Sequence, residues 1–97
     1  MYVGTLSFDL LLGDVHSLKE KRSVVRPIIA ELQRKYTVSV AEVDHTNLYR
    51  RTVIGLAAVS GDATHLTDLL DRCERLVAAR PEVELLSVRR RFHGEDD

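Results

Sequence analysis

"TVIGLAAVSGDATHLTDLL", residues 52–70, changes periodicity in its middle, and that change decides the fold. Residues 52–61 form a nearly continuous apolar run, rich in β-branched residues and bounded by Gly61. This is the pattern of a central strand covered on much of both faces. From Asp62 the spacing becomes helical. Asp62 is suited to cap a helix whose apolar stripe is Leu66, Leu69, Leu70, Cys73, Leu76 and Val77. Pro81 stops this helix, and "VELLSVRRRF" (83–92) reads as a final strand. Its arginine-rich end suits a sheet edge, where charge discourages pairing with other chains.

The same strand-to-helix passage occurs once before, nearer the start of the chain. In "MYVGTLSFDLLL" (1–12), Leu6, Phe8, Leu10 and Leu12 alternate with Thr5, Ser7 and Asp9, the mark of a half-buried strand. Gly13-Asp14 ends it, and Ser17 with Glu20 forms a capping box opening a helix at Leu18. Leu18, Val25, Ile28, Ile29, Leu32 and Tyr36 make its buried stripe. Pro27 removes one backbone bond and crowds the carbonyl of Ser23, which predicts a bend near Ser23 or a separate first turn. "TVSVAEVD" (37–44) is a strand whose alternation slips between Val40 and Ala41, predicting a bulge there. "HTNLYRR" (45–51) is a polar connection.

The order strand, helix, strand, strand, helix, strand is the split βαβ, ferredoxin-like arrangement. It predicts an α+β domain over residues 1–93, with a four-stranded antiparallel sheet and two helices on one face. Residues 94–97 form an acidic tail. No helix remains for the other sheet face, which carries Val3, Val53, Ala57 and Val59. A largely apolar open face exceeds what most soluble monomers expose, so a homodimer or larger assembly is expected.

Composition sets wide bounds. The chain has 97 residues, 44% of them hydrophobic and 30% charged, as in one folded domain. A single cysteine, Cys73, cannot make an internal disulfide and fits a reducing cytoplasm. No apolar run approaches the ~20 residues of a membrane span, and the opening segment, lacking a basic start, reads as a strand and not a signal peptide. The net charge is −1, but Glu95, Asp96 and Asp97 account for −3, so residues 1–94 carry +2. Within residues 17–51, eight basic side chains meet four acidic ones.

Several functions common on this fold lack their residue signatures here. An RNA-recognition domain stacks bases on aromatics of its two central strands; these strands offer Thr5, Ser7, Asp9, Val53, Gly55 and Ala57. A soft-metal chaperone needs paired thiolates. An acylphosphatase needs a glycine-rich phosphate loop with an arginine after the first strand, and "GDVHSLKEKR" (13–22) has one glycine. An amino-acid-binding regulatory domain usually has more glycine there. His16, His45, His65 and His93 show no ligand-like spacing, so no metal and no cofactor are expected. Glu42 and Asp44 could share a proton or a metal, but Arg50 and Arg51 follow within hairpin reach and should pair with them. No serine nucleophile elbow is present, and the expectation is a non-enzyme.

One cluster remains, in "HSLKEKRSVVRP" (16–27). At 100° per residue, Lys19, Arg22, Arg26 and Arg34 fall within one third of the helix circumference, away from Val25, Ile28 and Leu32. Glu20 and Glu31 fall outside that arc, so the stripe should lack close acidic partners. Such a stripe suits either a solvated face or contact with an anionic partner, RNA phosphates above all.

"HSLKEKRSVV", a helix ending in "RKY", "VSVAEVD", "IGLAAVSGD" and "LLSVRR" together resemble the YlxP-like family, catalogued as a domain of unknown function. The resemblance spans nearly the whole chain. It implies small bacterial cytoplasmic proteins with a ferredoxin-like fold, whose genes often lie beside those for a translation-initiation factor and a ribosome-maturation factor. It carries over no catalytic or binding residues. The expected function is a non-enzymatic accessory protein that touches ribosomal RNA or a ribosome-associated protein through Lys19, Arg22, Arg26 and Arg34. The alternative is a homo-oligomeric small-ligand-binding or regulatory module using the open sheet face.

Overall fold

A computed structural model describes residues 1–94; the acidic residues 95–97 of the expected tail lie outside the described residues. The elements are β1 (Tyr2–Leu12), α1 (Leu18–Lys35), β2 (Ser39–Asp44), β3 (Arg51–Ser60), α2 (Ala63–Ala78) and β4 (Val83–His93). One antiparallel sheet runs in the order β2-β3-β1-β4. Thus β1 and β3 are the central strands, and the arginine-rich β4 is an edge. This is the ferredoxin-like architecture expected from the order of elements.

Strand alternation builds the core. Leu6, Phe8, Leu10 and Leu12 of β1 and Ile54, Leu56 and Ala58 of β3 are buried beneath the helices. From α1 come Val25, Ile28 and Leu32, and from α2 Leu66, Leu70, Cys73 and Val77. Gly4 lets α2 come close, since a Cβ at that position would stand 2.6 Å from the Leu70 Cδ1. Burial pushes the Cys73 thiol up from the usual 9.0 to about 11, while the Arg90 guanidinium pulls weakly the other way. The thiol therefore behaves as a small hydrophobe. Arg90 also ties β4 to α2, through Asp71 at 2.8 Å and Glu74 at 3.4 Å.

Several local expectations need correction. Helix α1 is one continuous helix through Pro27, with no separate first turn. Pro27 and Ser23 both lie on its exposed side, where water can satisfy the carbonyl that proline leaves unpaired. The Ser17 hydroxyl accepts from the Glu20 amide as a cap should, but the Glu20 carboxylate reaches back to the His16 amide at 2.8 Å, one residue beyond the usual box. Leu69 is only half-buried, on the flank of the row Leu66, Leu70, Cys73 and Val77. The second face of β3 is half-buried by neighbouring side chains and carries no helix, with Val59 65% exposed.

The bulge in β2 falls at Val43, where pairing with β3 shifts between Glu42 and Asp44, and not at Val40–Ala41. Val38, Val40 and Glu42 all turn inward, while Ser39, Ala41 and Val43 turn outward. The alternation holds through Glu42; a carboxylate sits where an apolar residue was expected. Gly55 accommodates the bulge, since a Cβ there would lie 2.9 Å from the Val43 Cγ1. A second register shift, between Asp9 and Leu10, marks the β1–β4 pairing.

Candidate nucleic-acid interface

The inward Glu42 meets a buried lysine. Lys21 is 2% exposed and lies in phase with Val25, Ile28 and Leu32 on α1. Its ammonium donates to the His45 carbonyl at 2.6 Å and pairs with Glu42 Oε2 at 2.9 Å. The hydroxyl of buried Thr52 donates to the same oxygen. A buried ammonium needs a counter-charge and hydrogen-bond acceptors, and this network supplies both. It also fastens the β2–β3 connection to α1. His45 has a left-handed φ of 55°, its amide donates to Asp44 Oδ1 at 2.7 Å, and its carbonyl accepts from Leu48 N as well.

The arrangement replaces the expected pairing of Glu42 and Asp44 with Arg50 and Arg51. Arg50 instead donates to the carbonyl of Gly13 at 2.8 Å and that of Leu12 at 3.2 Å. Arg51 makes a two-pronged contact with Asp9 on the open sheet face, at 2.8 and 2.9 Å. The bulge puts Glu42 and Asp44 to different uses, one on Lys21 and one on its own loop.

Above Lys21, α1 and the β2–β3 connection enclose a concavity of about 330 Å³. Leu18, Val25 and Ile29 form its apolar wall, and Glu42, Thr46 and Asn47 its polar end. Arg22 and Arg26 also line it, both exposed and neither with an ion-pair partner among the described residues. Of the four stripe residues, the structure brings these two together on a common cavity. Lys19 is exposed on α1 but does not line the cavity. Arg34 departs from expectation: it approaches Glu31 at 3.8 Å, so the stripe is partly neutralised there. Glu31 lies one turn before it on a neighbouring row, and Arg80 shares the same carboxylate at 3.6 Å.

The sequence reading missed Lys21, Thr46 and Asn47. For Lys21 a signal was present, since its spacing of four, three and four to Val25, Ile28 and Leu32 puts it in the buried row. Thr46 and Asn47 gave none, because a polar loop residue becomes a cavity wall only once the loop is anchored.

The open sheet face has its own shallow depression, over Ser39, Ala41, Gly55 and Ala57, with Arg89 and Arg91 at its rim. Val3, Val53, Ala57 and Val59 do face this side. Thr5, Ser7 and the Asp9–Arg51 pair lie among them, so the face is mixed and not largely apolar. The nearby exposed ring, Phe92, lies opposite Gly4 and packs with Tyr2 at 5.8 Å, on the side of the helices. No group of three or more metal-ligating side chains occurs among the described residues, and no helix among them is long and apolar enough to cross a membrane.

Fold and surface together define a ferredoxin-like domain with a cationic, partly enclosed cavity beside its first helix. The chain belongs to the family described as "Protein of unknown function (DUF503)", which matches residues 3–90. It is 33% identical over 82 residues to the uncharacterized protein YlxP of Bacillus subtilis (strain 168), covering 84% of this chain and 89% of that one. Among solved structures, the de novo designed protein Foldit4 superposes with a TM-score of 0.55 at 14% identity, covering 98% of this chain and 99% of that one. A putative chlorite dismutase gives a TM-score of 0.58 at 14% identity over 99% of this chain but only 46% of its own. At such identities these likenesses speak to the fold alone.

Proposed function

We propose that this protein is a non-enzymatic cytoplasmic accessory factor of the translation machinery that contacts single-stranded RNA through α1. The observation that carries the reading is the pair Arg22 and Arg26, exposed, unpaired among the described residues, and set on the wall of one cavity. Arginine's planar fork suits bidentate contact with phosphate. Buried Lys21 is already satisfied by Glu42 and His45, so the free positive charge of the site lies on these two arginines. Lys19 extends the field along the helix; Arg34, engaged with Glu31, contributes less. The gene neighbourhood that the family resemblance implies supports a ribosomal setting.

Each phosphate contact with a single strand steepens the fall of log affinity with log salt by about 0.7. Changing Arg22 and Arg26 together to Gln should weaken binding to ribosomal subunits and flatten that slope by about 1.4. Co-sedimentation at several salt concentrations measures both quantities. A double variant that binds as wild type does would remove this surface from the interaction.

A second reading is favoured by the helix-free sheet face, where Val59 stands 65% exposed beside half-buried Val3, Val53 and Ala57. It makes the protein a self-associating small-ligand or regulatory module. Sedimentation equilibrium should then give a dimer mass at micromolar concentration, and a monomer mass there would reject it.

A further inference from the structure

We infer that the cavity between α1 and the β2–β3 connection receives one unstacked RNA base, with Arg22 and Arg26 holding the phosphates on either side of it. The inference rests on the RNA reading above and adds the form and base preference of the ligand. Protein modules that read RNA sequence take single-stranded bases splayed from their neighbours, sandwich the flat faces between apolar groups and bond the exposed edges. An apolar wall for one face of the ring and polar groups for its edge are both present here.

The volume of about 330 Å³ falls in the range of small-ligand pockets. Leu18, Val25 and Ile29 of α1 offer an apolar wall for a flat ring, and Glu42, Thr46 and Asn47 of β2 and the loop after it line the same cavity. Arg22 and Arg26 are one helical turn apart, a rise of about 6 Å, which is the scale of one nucleotide step. They can therefore engage successive phosphates while the base between them turns inward.

The polar end also predicts a preference. Lys21 and Thr52 both engage Glu42 at Oε2, which leaves Oε1 without a hydrogen-bond partner among the described residues. A free carboxylate oxygen accepts from an amino group, such as N6 of adenine or N4 of cytosine. The Asn47 side chain makes no hydrogen bond within the described residues and can pair with an adjacent donor and acceptor on a base edge. Uracil has no amino group. Its one N–H lies between two carbonyl oxygens, which a carboxylate repels.

Fluorescence anisotropy of labelled ten-nucleotide oligo(A), oligo(C) and oligo(U) with the full chain tests this at one low salt concentration. The A and C oligomers should bind about tenfold more tightly than U, the worth of one charge-assisted hydrogen bond. The double variant Thr46→Leu/Asn47→Leu narrows the cavity with two larger apolar side chains, removes Asn47 as an edge partner and obstructs the approach to Glu42. Both residues are exposed loop positions, so the far-UV circular dichroism should match wild type. It should bind all three oligomers at the wild-type level for U, with an unchanged salt slope. Equal wild-type affinity for A, C and U, or discrimination that survives in the double variant, overturns the base pocket while leaving the arginine contact standing. Absence of wild-type binding to every oligomer overturns both.

Discussion

Leu32→Ala lowers the free energy of unfolding by about 2–5 kcal/mol, seen as a fall in the urea midpoint. Leu32 is fully buried on α1, in the row that closes over the sheet, and truncation leaves a cavity there. The cost combines lost transfer free energy with the contacts that the cavity lining forfeits. Leu69→Ala should cost less, because Leu69 is half-buried on the flank of α2 and its neighbours can close toward solvent. If the two midpoints fall equally, the helical phase described for α2 is incorrect.

Lys21→Met lowers stability by about 2–3 kcal/mol. Removing one partner of a buried ion pair typically costs ~3–5 kcal/mol, because the other charge stays behind uncompensated. Here the Glu42 side chain is 24% exposed, and water softens its isolation. The His45 carbonyl keeps only the Leu48 amide as donor. The double variant Lys21→Met/Glu42→Leu should recover most of the loss, since apolar replacement of a buried pair is often neutral. A urea titration of both variants measures this. A single variant as stable as wild type would show that the pair contributes nothing.

The order of elements was legible in the sequence because apolar periodicity depends on which side chains face the core. Both helix caps, the edge position of β4 and the buried thiol followed from local patterns. Reading failed where one polar side chain occupied an inward position. Glu42 continued the inward row of Val38 and Val40, but its charge concealed the alternation and displaced the expected bulge. Lys21 broke the apolar pattern of α1 in the same way. The two misreadings share one cause, because each residue makes the other's burial tolerable. That mutual compensation is a long-range fact, which no window of local sequence contains.

The candidate site was legible in part. Arg22 and Arg26 could be placed on one outward arc by helical geometry alone. Their separation from Arg34, by its approach to Glu31, depended on side-chain reach. The cavity that gives the two arginines a common target lies between α1 and the β2–β3 connection, which Lys21 ties together across a distance of 24 residues in sequence.

The central position of β1 constrains how the chain is made. This strand leaves the ribosome before β4, yet one of its edges pairs with β4, with Val3 opposite His93. Until β4 has been synthesised, that edge of an apolar strand has no partner, and the layer under α2 is incomplete. Pairing between distant segments is also the slow part of folding, since the intervening chain must be ordered first. The sheet can therefore close only after β4 has been synthesised. Between the synthesis of β1 and that of β4 the nascent segment presents an unpaired strand edge, the feature that holdase chaperones shield.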